Sequence, residues 1–520
     1  MNRTLLFYRL IFASFALCLI SGCDNPNKPS PSLPKGDAQV VKAPKGDEIS
    51  RKRLERGMDS PFVFLPTEIQ APGQRALIYD LYAGLVRLTS DGNIESAVAS
   101  HWEQRSPTEW QFYLRDDAKW SNDEPLVAQD FVQSWWQLAL SESPLREYLR
   151  YLHLANTEAV LAKTVGVESL GVKALDEHTL QLTLSEPVPF LPKLLAHAVL
   201  LPVYQQESAV LVSNGAYRLT SHNHETAVLE KNQTYFNQAN VAFEQVRYHA
   251  GGNMPLDIAP VKAPRSDDQT QKHILPLPQL CTYYYEMNFR HPQLKQSAVR
   301  QALNAMIARH DLIPPNVMNV RVNAQYLPHN LQTETQSQGW VAVVPEQQFT
   351  QAGVSREKPL KLRLTYDDAG IHPAVAQQLV RMFSQSDLIH IQPEAVSTSE
   401  LLQRRNSGDF DLIRSGWCAD FHDPAAFFDP LYSHSPNNKM GINEPDIDEL
   451  LKAVYQQDIS DDARRALYDK LAGWVDEKQV VLPLFQAYRY LLISDSVQGV
   501  EANNRLGYLP SEGLYRKVTP

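Results

Sequence analysis

Between residues 110 and 493 the apolar period switches back and forth between two and about 3.6, and this switching narrows the possible folds most. Trp110 to Arg115 (WQFYLR), residues 179–185 (TLQLTLS) and Leu360 to Tyr366 (LKLRLTY) alternate as strands. Residues 281–288 (CTYYYEMN) are aromatic and strand-like, and Phe410 to Arg414 (FDLIR) is a further strand. Pro187 and Pro189 stop the strand before them. Ala128 to Leu140, with Trp135 and Trp136, reads as an amphipathic helix. Lys295 to Arg309 reads likewise, with Val299, Leu303, Met306 and Ile307 inward. Further helices are predicted at 375–386, 444–457 and 461–478, and a helix end at 194–204. Residues 74–90 place Leu77, Leu81, Leu85 and Leu88 at helical spacing, before a turn at Ser90-Asp91-Gly92. A last strand pair is predicted over 480–493. Strands alternating with helices imply α/β lobes, with mixed sheets flanked by helices. A chain of 520 residues exceeds one ordinary core, so two or three lobes are expected.

The first residues carry a different signal. Arg3 and Arg9 precede an almost wholly apolar run from Leu5 to Ile20, which ends in Ile20-Ser21-Gly22-Cys23 and polar Asp24. This is the composition of a secretory leader over residues 1–22. Cysteine at the first mature position resembles a bacterial lipobox, which would make Cys23 the lipidated residue and membrane anchor. Residues 24–48 are rich in Pro, Lys, Ser and Gly, with no recurrent apolar face, and read as a tether. The folded body should begin near Ile49. The expected location is the periplasm or cell envelope, held to the membrane by lipid.

Charge and cysteine usage exclude several classes. The formal net charge is -10, and it grows more negative when Arg3 and Arg9 leave with the leader. Such a chain is poorly suited to nucleic acid, whose phosphates need a basic face. Cys18 lies in the leader and Cys23 at the cleavage point, which leaves Cys281 and Cys418. In an oxidising envelope that pair is either a disulfide or two separate thiols. No GxSxG elbow, HExxH or Walker loop is present, so no enzyme is expected. Asp367-Asp368 and Asp420 to Asp423 are acidic clusters of a kind common on acidic proteins. His222-Asn223-His224-Glu225 is the densest metal-like cluster, but it reads as a loop, and no metal or cofactor is expected.

Five stretches carry a family resemblance: Gly84 to Phe131, 170–190 (LGVKALDEHTLQLTLSEPVPF), 213–219 (SNGAYRL), 281–303 with its VRQAL helix, and 414–424 (RSGWCADFHDP). Together they resemble the extracellular solute-binding proteins of family 5, the peptide receptors of bacterial ABC importers. The likeness is greatest to the oligopeptide and murein-peptide branch, and it covers roughly residues 50–515. The resemblance implies a two-lobed clamp that closes on an extended peptide, with transporter permease subunits as partners and the receptor a monomer. It divides the chain into lobe 1 (49–72, 203–280 and 490–520), an extra domain of that lobe (73–202) and lobe 2 (281–489).

It also implies a site. Asp420 would hold the peptide ammonium, flanked by Trp417, Gly416 and Cys418, and a Cys281–Cys418 bridge would stiffen that end. Arg414, Arg405 and His372 would anchor the carboxylate end, since arginine can fork onto a carboxylate. Asn214 and Gly215 would present backbone to the ligand, Glu55 would lie near its amino end, and Tyr151 and Tyr283 would line the cleft. Three departures bear on the ligand. The 249–280 segment is short, Val317 and Met318 stand where the family has a lysine, and small polar residues surround Thr398 where it has a tryptophan. A murein peptide is the rival ligand, and a metal chelate or haem the more distant one.

Overall fold

The computed structural model describes residues 52–206, 208, 210–251, 254–262, 273–313, 319–332, 343–456 and 459–517. The leader, Cys23, the tether and the Val317–Met318 neighbourhood lie outside the described residues.

One mixed sheet runs through the molecule. From edge to edge its strands are Ile389–Val396, Leu360–Asp367, Leu412–Cys418, Ile274–Met287, Val481–Ile493, Ile258–Val261, Arg53–Met58, Gln245–Ala250, Thr226–Lys231 and Tyr217–His222. Val320–Val322 also pairs with Val481–Ile493. Two long antiparallel strands, Ile274–Met287 and Val481–Ile493, join the halves. Their first part, from Ile274↔Leu492 to Pro278↔Tyr488, lies beside Ile258–Val261. Their second part, from Thr282↔Gln486 to Glu286↔Val481, lies beside Leu412–Cys418. The register slips between Pro278 and Thr282. Proline cannot donate to a ladder, and Pro276, Pro278 and Pro483 all sit in these strands. The ladder is interrupted where it crosses from one half to the other.

Each half has its own core. Leu54, Leu77, Ile78, Tyr217, Val246 and Ile258 pack in the first. Tyr285, Leu303, Leu362, Leu379 and Leu412 pack in the second. A four-stranded sheet (Ala99–Ser106, Glu109–Leu114, Thr179–Thr183, Val172–Ala174) forms a separate unit under the helix Ala128–Leu140. That helix buries Phe131, Val132, Trp135 and Leu138, which share one face at helical spacing. Asp130 caps its start by accepting from the Val127 amide at 2.9 Å and from Trp120 Nε1 at 3.0 Å. The core of this unit continues into residues 421–481. Phe190 stacks on Phe421 at 6.0 Å between ring centroids, and Lys193 Nζ reaches the fully buried Asp423 carboxylate at 2.7 Å. No helix among the described residues is long and apolar enough to cross a membrane.

The predicted periods hold for most elements, the strand predicted at 410–414 running instead over Leu412–Cys418, and three differ more. The helix predicted over 74–90 covers only Arg75–Leu81. Tyr82 turns extended, and Val86–Leu88 pairs with Ile94–Ser96 as a strand. Leu85 is buried at the bend before that strand, so its four-residue spacing from Leu81 reports burial rather than helix. The pair predicted over 480–493 is one strand, because its partner is Ile274–Met287 rather than itself. The strand predicted from residue 281 begins seven residues earlier, at Ile274.

Candidate ligand-binding site

In the second half of the sheet, Leu360–Asp367 runs parallel to both Ile389–Val396 and Leu412–Cys418. Crevices outside the carboxyl ends of parallel strands are the usual ligand positions in such sheets. Here those ends carry Asp367 and the run Arg414 to Asp420. Along Leu412–Cys418 burial alternates, so Ser415 faces the interior while Gly416 is exposed. A Cβ at Gly416 would lie 3.2 Å from the Thr282 carbonyl oxygen, which is why the two strands can close there.

Cys418 and Cys281 are register partners and form a disulfide, with Cα atoms 4.0 Å apart. The Ala419 amide then donates to the Leu280 carbonyl at 2.8 Å, and Trp417 Nε1 donates to the Ala426 carbonyl at 2.6 Å. The Asp420 loop thus leaves a point fixed by one covalent and two hydrogen bonds. Burial raises the Asp420 carboxyl above its ordinary pKa, opposed by a hydrogen bond from Tyr151 and by the charge of Arg75. Tyr151 stays protonated, its pKa pushed well up by burial and by the Asp420 charge. Tyr151 meets Tyr148 edge-on at 5.6 Å and Phe421 at 5.7 Å, and Tyr148 stacks on His197 at 4.1 Å. Burial and Arg75 push His197 down to about 3, so it is neutral at neutral pH. An acid from one half of the molecule therefore faces an aromatic wall from the four-stranded unit and its neighbours.

A second group lies farther back along the same strand. Arg414 donates to Asp367 Oδ1 through Nε at 2.8 Å, and its Nη2 lies 2.6 Å from the same oxygen. His372 opens the helix His372–Phe383, and its Nδ1 is 2.9 Å from the Tyr283 hydroxyl. Tyr283 stacks on Phe485 at 4.4 Å. Arg405 grips Glu286 through Nε at 2.9 and 3.0 Å and through Nη2 at 2.6 Å. Ser415 Oγ adds a bond of 3.0 Å to Glu286, which is 1% exposed. We expect Glu286→Gln to leave Arg405 without its acid and to destabilise the protein by about 3 kcal/mol. Urea unfolding would read this, and an unchanged midpoint would show that the pair carries no net stability.

Three residues sit elsewhere. Glu55 lies in the strand Arg53–Met58 and spends its carboxylate on His249 Nε2 and Arg53 Nε, each at 2.6 Å. The structure does not bring it to the Asp420 group. Asn214 is buried and clamps Ala83, with its Nδ2 donating to the carbonyl at 2.8 Å and its Oδ1 accepting from the amide at 3.2 Å. A Cβ at Gly215 would come within 2.5 Å of the Leu81–Tyr82 backbone. Both residues thus seal the end of the helix Arg75–Leu81, and the close approach that Gly215 permits is to the protein's own chain. Sequence reading missed the partners, Asp367 for Arg414 and Glu286 for Arg405. The only available signal was Asp367 at the end of an alternating strand. Among the described residues, no group of three His, Cys, Asp or Glu could hold a metal ion.

Residues 93–439 match the family model for bacterial extracellular solute-binding proteins, family 5. The chain is 38% identical to a Haemophilus influenzae protein named only as a binding protein, over 99% of this chain and 98% of that one. It is 30% identical to the periplasmic oligopeptide-binding protein OppA of Salmonella typhimurium, over 92% and 95%. Among solved structures it superposes on the unliganded open form of the periplasmic murein-tripeptide-binding protein MppA with a TM-score of 0.80. That match has 25% identity and covers 90% of this chain and 97% of that one.

Proposed function

Because the chain belongs to the bacterial extracellular solute-binding proteins of family 5, we propose that it captures peptides in an interlobe cleft and delivers them to an ABC importer. The observation that carries this reading is Asp420. It is a carboxyl raised by burial, fixed by the disulfide strand and overhung by Tyr151. A buried anion of this kind calls for a cation, and a peptide ammonium supplies one. The two halves of the sheet are lobes 1 and 2, with residues 73–202 an extra domain of lobe 1, and the crossing strands are the hinge. The register slip between Pro278 and Thr282 supports a hinge there. On this reading Cys23 carries lipid, the protein is a periplasmic monomer, its partner is a permease, and it catalyses nothing.

A murein peptide is the second reading. It is favoured by the superposition on the open murein-tripeptide receptor. A thermal-shift screen of the purified protein tests both, with di- to pentapeptides, murein tripeptide, and nickel-chelate and haem controls. A ligand at 100 times its Kd adds about 2.7 kcal/mol, enough to raise the midpoint by a few degrees. We expect that rise with free-amine peptides, and the ligand giving the largest rise names the class. A protein stabilised only by haem or the chelate would be no peptide receptor.

A further inference from the structure

The cations of lobe 2 that face the crevice are matched by acids of the same lobe. Asp367, 3% exposed at its side chain, takes a hydrogen bond from Arg414 Nε, an ion-pair contact from Arg414 Nη2, and a hydrogen bond from Thr398 Oγ1 at 3.3 Å. His372 Nε2 is 3.9 Å from the same acid, and burial together with Arg414 holds this ring neutral, with a pKa of about 4. Tyr283 keeps its proton. The next strand contributes Glu394, which is itself bound to Arg404. At neutral pH the Arg414–Asp367–His372 group therefore carries no net charge. The neighbouring pair differs. Glu286 matches Arg405, yet Lys439 lies near enough to feel both charges.

A ligand carboxylate arriving at Arg414 would meet a carboxylate already seated on its Nε–Nη2 edge. Two like charges on one guanidinium repel, whereas a carbonyl oxygen could accept from Nη1 without that cost. We propose that Asp367 is a built-in carboxylate that occupies Arg414, so that this end of the crevice takes a neutral acceptor and refuses a free α-carboxylate. A backbone carbonyl or a carboxamide is such an acceptor. The inference rests on the peptide-receptor reading and makes Asp367 its specificity-determining residue.

The test is titration calorimetry of the purified protein with alanine tri-, tetra- and pentapeptides, each with a free amine, as free acid and as C-terminal amide. Asp367→Asn should raise the preference for acid over amide about tenfold at one length or more. Asp367→Asn/Arg414→Gln, which removes both charges together, should leave the wild-type ratio within about twofold at every length. A folded Asp367→Asn protein with unchanged ratios would overturn the proposal. So would a double variant that loses acid preference tenfold, since Arg414 would then be reading a carboxylate with Asp367 in place. If Asp367→Asn does not fold, the double variant decides. Wild-type protein that binds no peptide in either form overturns the receptor reading and this inference together. Peptide binding with the wrong ratios overturns the inference alone.

Discussion

Asp420→Ala should bind free-amine peptides about tenfold to a hundredfold more weakly than wild type. That range is the loss of a charge-assisted hydrogen bond of about 1.5–3 kcal/mol to a partly desolvated ammonium. Calorimetric titration with one peptide, free and N-acetylated, measures it. Wild type should reject the acetylated form by a similar factor, and the variant should no longer distinguish the two. Equal binding of both forms by wild type would sink the ammonium role.

The same residue has an opposite effect on the empty protein. Burial raises the Asp420 carboxyl, so the folded chain holds that proton more tightly than the unfolded chain does. The contribution of such a group to stability falls as pH rises from the unfolded value, about 4, through the raised folded one. Above that window the full cost of a buried charge is present. Asp420→Asn removes the cost, so the ligand-free variant should unfold at a higher temperature than wild type at neutral pH. The gap should close near pH 4. A variant no more stable than wild type at neutral pH would show that Tyr151 and Arg75 already compensate the charge.

Opening the Cys281–Cys418 bridge should lower the unfolding midpoint of the half of the sheet that holds it by about 10–20 °C. The bridge spans a sequence separation of 137 residues, for which chain entropy gives about 5 kcal/mol. In a folded unit of about 200 residues each kcal/mol moves the midpoint by roughly 2–4 °C. Scanning calorimetry with and without a thiol reductant measures the effect, and Cys281→Ser/Cys418→Ser separates the bridge from other actions of the reductant. The bridge also sets the root of the Asp420 loop, two residues on, so peptide affinity should fall in the double variant at temperatures where it remains folded. A midpoint that stays put would mean that the ladder Cys281↔Cys418 to Met287↔Leu412 fixes these strands without the covalent bond.

Where an element is defined by its own period, the sequence alone determined it. Ala128–Leu140 and Asp461–Lys478 have the predicted bounds, because each repeats its apolar face over three turns or more. Leu360–Asp367 was legible from strict alternation. The choice of α/β also comes from local periods. Tertiary structure alone decided everything that depends on register between distant strands. Arg414 meets Asp367 across 47 residues, and Arg405 meets Glu286 across 119. Nothing along the chain signals the second pairing, and only the place of Asp367 at a strand end hints at the first. Gly215 was legible as a site of close approach, but what approaches it is the Leu81–Tyr82 backbone. Leu85 and Leu88 kept a helical spacing that the fold overrode with a bend and a strand. The physical reason is the same in each case. A period records which side of an element is dry, whereas a charge or a missing Cβ takes its meaning from the partner that packing brings to it.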